Sequence, residues 1–124
     1  EFVDGDVTRA VIGAALAVHS ELGPGFLESV YEAAMQVELE RRGVRFERQL
    51  LVPIHYAGVE IGSHRLDLLV EGRVVVELKA VDDLASVHRA QVTSYLKATR
   101  RAVGLLLNFG QESLQIRRLN RRGA

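Results

Sequence analysis

Apolar residues at Val7, Val11, Ala14, Ala15 and Val18 recur every three or four positions, and that spacing predicts a helix over 6–22. Asp4 or Asp6 stands where an N-cap is needed, and Gly23-Pro24 stops the helix. A second helix is expected from Gly25 to about Arg42, with Phe26, Leu27, Val30, Ala34, Val37 and Leu39 on its apolar face and Gly43 at its end. The Gly-Pro-Gly turn between them is short, which makes the two helices neighbours. From Arg45 the period becomes extended. Phe46 to Tyr56 reads as a strand, and Pro53 within it points to a sheet edge or a bulge. Ala57-Gly58 turns the chain, after which Val59-Glu60-Ile61 pairs back briefly. Residues 64–70 and 74–80 are two further strands around the turn Glu71-Gly72-Arg73. Asp82 or Asp83 is placed to cap a helix that runs to about Ala98. Val103 to Phe109 is a continuous apolar run of strand length, the pattern of a strand covered on both faces. Leu114 to Leu119 is a last short strand. The predicted order is α-α-β-β-β-α-β-β, an α/β fold without internal repeats.

Composition narrows this picture. The chain has 124 residues, 48% apolar and 26% charged, which fits one folded domain spanning 1–124 and excludes a disordered chain. No apolar run approaches the roughly 18 residues of a membrane span, and no basic-then-apolar start reads as a secretion signal. The chain opens Glu1-Phe2 with no methionine, so its first residues read as a remnant of cloning. Cysteine is absent, which excludes disulfides, thiolate metal sites and thiol nucleophiles. A cytoplasmic location is the default expectation. The zero net charge conceals a gradient. Residues 1–40 carry one Arg against eight acids, whereas residues 81–124 carry eight bases against three acids. The stretch Arg117-Arg118-Leu119-Asn120-Arg121-Arg122 fits a phosphate backbone, and equally a solvated tail.

The candidate chemistry lies where charge interrupts apolar strands. Glu77 and Lys79 break into Val74-Val75-Val76 and Leu78, and residues two apart on a strand share a face. An ordinary Glu–Lys pair on a half-exposed strand gives the same tripeptide. Asp67 interrupts the preceding strand among Leu66, Leu68, Leu69 and Val70. A two-residue turn would put Asp67 and Glu77 on opposite faces, whereas the three-residue loop Glu71-Gly72-Arg73 pairs 70 with 74 and sets Asp67 directly across from Glu77. Two carboxylates so placed repel unless a cation lies between them, and a hard ion such as Mg²⁺ suits oxygen ligands. Arg65 shares the face of Asp67 and is placed to touch phosphate or to pair with an acid. His88, Gln91 and Tyr95 lie on one helical face; a capped helix whose Tyr packs into the core has the same pattern. His19 ends an apolar helix and reads as a core hydrogen-bonding group, and His55 as another structural histidine.

Asp67, nine residues, then Glu77-Leu78-Lys79 resembles the D-x(n)-E-x-K signature of the PD-(D/E)XK nuclease superfamily, whose αβββαβ core matches the predicted order preceded by one extra helix. Residues Gly25-Phe26-Leu27-Glu28-Ser29-Val30-Tyr31 resemble the G-x-x-E-x-x-Y word of the GxxExxY branch. The words Glu21-Leu22-Gly23-Pro24-Gly25, Val76-Glu77-Leu78-Lys79-Ala80, His88-Arg89-Ala90-Gln91 and Leu106-Leu107-Asn108-Phe109 extend the likeness over about residues 6–119. Leu66 stands where the motif's proline would be. The resemblance implies a restriction-endonuclease-like fold with a mixed central sheet and a metal-dependent phosphodiester hydrolase acting on nucleic acid, with DNA the expected substrate. It implies that Asp67, Glu77 and Glu28, with the Leu78 carbonyl, hold Mg²⁺ or Mn²⁺. Lys79 and Gln91 join them as catalytic groups, Gln91 and Tyr95 forming the Q-x-x-x-Y word of RecB-type members. Tyr31, Arg65, His88 and Tyr95 are the expected substrate contacts. No P-loop or recognition module accompanies the site, so a homodimer or a partner protein is expected to supply specificity. The rival readings are a catalytically silent nucleic-acid-binding or assembly module, and a purely structural domain.

Overall fold

The computed structural model describes residues 3–122; Glu1-Phe2, read above as a cloning remnant, lies outside them. The elements in chain order are α1 (Gly5–Leu22), α2 (Glu28–Arg41), β1 (Phe46–Tyr56), β2 (Val59–Val70), β3 (Val74–Lys79), α3 (Ser86–Thr99), β4 (Val103–Asn108) and β5 (Gln115–Asn120). The strands form one five-stranded sheet in the order β1-β2-β3-β4-β5. Only β3 and β4 are parallel, and α3 is the crossover that joins them. This is the mixed sheet flanked by helices that the resemblance implies.

The helices sit on opposite faces. Helices α1 and α2 close one core with Leu68, Val70, Val74, Val76, Leu78 and Leu105. Helix α3 closes the other through Val92, Tyr95 and Leu96 on Leu66, Leu69, Val75 and Leu106. The alternation along β3 follows from the strand period of two. All six residues of β4 are buried, as a strand covered on both sides requires. Each fully buried Leu or Val contributes about 1.5–3 kcal/mol relative to exposure.

Several boundaries differ from the sequence expectation. Helix α2 starts at Glu28 rather than Gly25, because Gly25-Phe26-Leu27 is taken up by the loop and Leu27 is extended. Asp4 takes a left-handed backbone and makes no side-chain cap; with Asp6 it instead pairs with Arg73 in the β2–β3 loop. Helix α3 starts at Ser86, and neither Asp82 nor Asp83 is its N-cap. The Asp83 carboxylate accepts from Leu84 N–H and from the Gln115 amide. Strand β2 is continuous from Val59 and absorbs the two separate segments expected there. Pro53 fits on β1 because that strand is a sheet edge, and the register slips just beyond it, between Ile54 and His55.

A second irregularity was not visible in the alternation. In β1, Phe46 packs on the α1/α2 side, while Leu50 and Val52, of the same parity, pack on the α3 side. In β2, Leu68 and Val70 face α1/α2 while Leu66 faces α3. Both strands therefore change face between these residues, at Gln49 and Asp67. Gln49 carries a left-handed backbone (φ 52°) and drops out of the ladder where its partner would be Asp67. Beyond this point β1 and β2 continue as an arm whose residues 53–63 are all exposed.

Candidate metal centre

The β2–β3 hairpin has the register that a three-residue loop predicts, with Val70 opposite Val74 and Leu68 opposite Val76. Glu71 and Gly72 take left-handed backbones, and Arg73 N–H bonds the Val70 carbonyl at 3.0 Å. Glu71 is held there by Arg45, whose guanidinium reaches its carboxylate at 3.1 Å. The ladder ends at Leu68–Val76, and side chains replace it one step further on. The Asp67 N–H donates to Glu77 Oε1 at 3.3 Å, and the Leu78 N–H donates to Asp67 Oδ2 at 2.8 Å. Each carboxylate thus occupies a backbone donor of the opposite strand.

Glu77 is 5% exposed. Burial, followed by the Asp67 charge, pushes its carboxyl up to about 9, against the pull of Lys79. Partial loss of water raises Glu28, which also feels the charges of Lys79 and Asp67, so the start of α2 reaches the same neighbourhood. A cleft of about 330 Å³ is lined by Glu28, Ser29, Glu32, Gln49 and Asp67, and Gln49 donates its amide to the Glu32 carboxylate. On the α3 side the Tyr95 hydroxyl is pushed up to about 12 by burial and by the charges of Glu77 and Asp67. Its ring stacks on His64 with centroids 3.6 Å apart, and burial lowers His64. Asp67, Glu77, Lys79, Glu28 and Tyr95 therefore share one site, with His64 added.

Tyr31 and His88 make structural contacts instead. Tyr31, expected at the substrate, is fully buried and stacks on Phe109 at 4.7 Å. Its hydroxyl donates to the Gly23 carbonyl and accepts from Phe26 N–H, so it fastens the Gly-Pro-Gly loop. His88 accepts the Ala85 N–H through Nδ1 at 2.9 Å, which caps α3. Gln91 is exposed, one turn before Tyr95, and makes no side-chain hydrogen bond among the described residues. Arg65 is exposed and makes no ion pair among them. The Leu78 side chain belongs to the α1/α2 core. His19 Nε2 bonds the Gln111 carbonyl at 2.7 Å, a core-edge contact as expected. His55 lies on the exposed arm. His64 and Gln49 carried no local signal; only strand pairing and packing bring them in. Glu32 was within reach, being one helical turn after Glu28 on the same face.

A divalent ion fits the chemistry of this donor set. Two carboxyl groups that offer only oxygen, one of them buried, suit a hard ion that keeps several waters. Among the described residues, no three His, Asp or Glu side chains are grouped closely enough to hold an ion unaided. Lys79 is close enough for its charge to act on Glu77 and Glu28, which leaves a cation beside the pair.

A family model of the PD-(D/E)XK nuclease superfamily matches residues 5–119. No curated protein matches the sequence. Among solved structures, the crystal structure of SSO0001 superposes with a TM-score of 0.61 at 17% identity, over 75% of this chain and 49% of that one. The likeness is one of fold, and the chain spans about half the length of that protein. No helix among the described residues is long and apolar enough to cross a membrane.

Proposed function

Because the chain belongs to the PD-(D/E)XK nuclease superfamily, we propose that it is a metal-dependent nuclease domain, spanning 1–124, that hydrolyses phosphodiester bonds in nucleic acid. The observation that carries this reading is the interlocked pair Asp67–Glu77, with Glu77 buried and Lys79 beside it. Asp67 and Glu77 would hold Mg²⁺ or Mn²⁺, with Glu28 approaching from α2 and the Leu78 carbonyl as a further ligand. The chemistry supplied by such an ion is polarisation of the scissile phosphate and acidification of a bound water. Lys79 contributes a compact positive charge where negative charge develops on the phosphate. Tyr95 and His64 form one wall of the site, and exposed Gln91 and Arg65 are free to approach a substrate. DNA is the substrate to test first. The G-x-x-E-x-x-Y word at Gly25–Tyr31 supports placement in the GxxExxY branch, with specificity drawn from a second copy or a partner protein. One observation favours a second reading, a silent binding module: the two carboxylates already satisfy backbone donors, and among the described residues no third His, Asp or Glu side chain is grouped closely with them.

The test is incubation of the protein with labelled single- and double-stranded DNA and RNA, with Mg²⁺, with Mn²⁺ and with chelator. Lys79→Ala should lower turnover by about 10²–10³-fold while nucleic-acid affinity changes little. A wild type that cleaves nothing with either metal, yet binds nucleic acid regardless of Glu77 and Lys79, would establish the silent module.

A further inference from the structure

A groove of about 550 Å³ runs between the β1–β2 arm and α3, within the roughly 300–1,000 Å³ of small-ligand sites. Val52, Ile54 and Leu66 give it an apolar wall, and the stacked His64–Tyr95 pair closes the end nearest Asp67 and Glu77. Lys97 and Arg100 stand at α3's C-terminal end. The same two residues line a second cleft of about 820 Å³ that continues to Arg121 and Arg122. No carboxylate lines either cleft. Neither Lys97 nor Arg100 makes an ion pair among the described residues, and Arg121 Nε is buried there without a hydrogen-bond partner. The two clefts thus share Lys97 and Arg100, and the C-terminal arginines Arg121 and Arg122 flank the second of them.

We infer that the two clefts act as one channel that holds a single strand of nucleic acid and leads it to Lys79 and the carboxylate pair. The inference rests on the nuclease reading and specifies its substrate as single-stranded. Phosphates lie along Lys97, Arg100, Arg121 and Arg122, and a base enters the groove against the apolar wall and the aromatic pair. A base held in a duplex exposes only its edges, so the groove accepts an unpaired one. Arg100 adds a separate observation. It caps α3 in a left-handed backbone (φ 58°), the position where helices favour glycine.

The experiment measures binding in chelator, where no metal-dependent cleavage occurs. Fluorescence anisotropy across a salt series would use labelled oligothymidine and oligouridine of roughly 12 nucleotides and a DNA duplex of equal length. Proteins are the wild type, Lys97→Ala, Arg100→Gly and the double variant. Single strands of either sugar should bind several-fold more tightly than duplex. The double variant should lose about tenfold on single strands, with the log–log salt slope smaller by about 1.4 for two lost phosphates. Arg100→Gly should raise the melting temperature while weakening binding, opposite signs that a purely structural arginine does not give. Unchanged single-strand affinity in the double variant, or duplex bound as tightly as single strands, overturns the channel. The two proposals fail separately. A wild type that cleaves nothing but binds strands through Lys97 and Arg100 keeps the channel and loses the hydrolase. Undiminished cleavage of single strands by the double variant keeps the hydrolase and loses the channel.

Discussion

At the scale of single residues, the site is governed by a carboxyl in the wrong solvent. Glu77 titrates at about 9 in the folded chain, against about 4.5 in an unfolded one, because it is buried and faces Asp67. A folded value above the unfolded one stabilises the protein below the unfolded value, and that contribution is lost as pH rises through the folded value. Glu77→Gln mimics the neutral form. In chelator, wild type and variant should therefore melt together near about pH 5 and separate as pH approaches about 9, the variant becoming the more stable. Parallel melting curves across that range would mean that water reaches the carboxyl freely. Adding Mg²⁺ should raise the wild-type melting temperature and leave the variant's nearly unchanged, since an ion bound only by the native state stabilises it.

At the scale of elements, the ends of β3 and β4 are clamped together next to Lys79. Asn108, fully buried, accepts from Val81 and Gly110 N–H and donates to the Val81 carbonyl and to Gln115. Phe109 N–H bonds the Lys79 carbonyl at 2.8 Å. Gly110 lies so close to Val81 that a Cβ there would sit 2.2 Å from its carbonyl oxygen. Backbone on both sides cannot yield cheaply. Gly110→Ala should cost about 2–4 kcal/mol, read by denaturant melts, and should reduce any nuclease activity because it moves Lys79. The sequence displayed the elements with strong periods: α1, the buried β4 and the β2–β3 hairpin, whose loop length set Asp67 across from Glu77. It misplaced the starts of α2 and α3, since Leu27 and Ala85 occupy their N-cap positions and carry no capping side chain. Before α3, the Asp83 that resembles a cap is engaged with Gln115 instead. The change of face at Gln49 and Asp67 was illegible for a different reason. Register is conserved across it while side-chain parity inverts, and polar residues at the crossing leave the hydrophobic pattern looking unbroken. His64 was missed because its partner, Tyr95, is distant in sequence.

At the scale of the whole molecule, every strand lies beside its neighbour in the chain, and a single parallel closure, β3 through α3 to β4, joins two antiparallel sections. That arrangement also orders assembly in time. The β1–β2–β3 meander can form through contacts close in sequence. The parallel pair must wait until α3 has folded back, because loop-closure entropy comes before its reward. The transition state should therefore contain the meander and lack the α3 contacts. Leu68→Ala, on the sheet face away from α3, should mainly slow refolding, whereas Leu96→Ala, costing about 2–5 kcal/mol, should mainly speed unfolding. Stopped-flow chevrons decide between this sequence and its reverse, in which Leu96 would carry the folding-rate effect. The residues gathered at the site belong to elements on both sides of that late step. Asp67 and Glu77 meet as soon as the hairpin closes, while Tyr95 and the cations of α3 arrive with the crossover. A nascent chain would thus possess its acidic pair before it possesses a channel to deliver a strand to it.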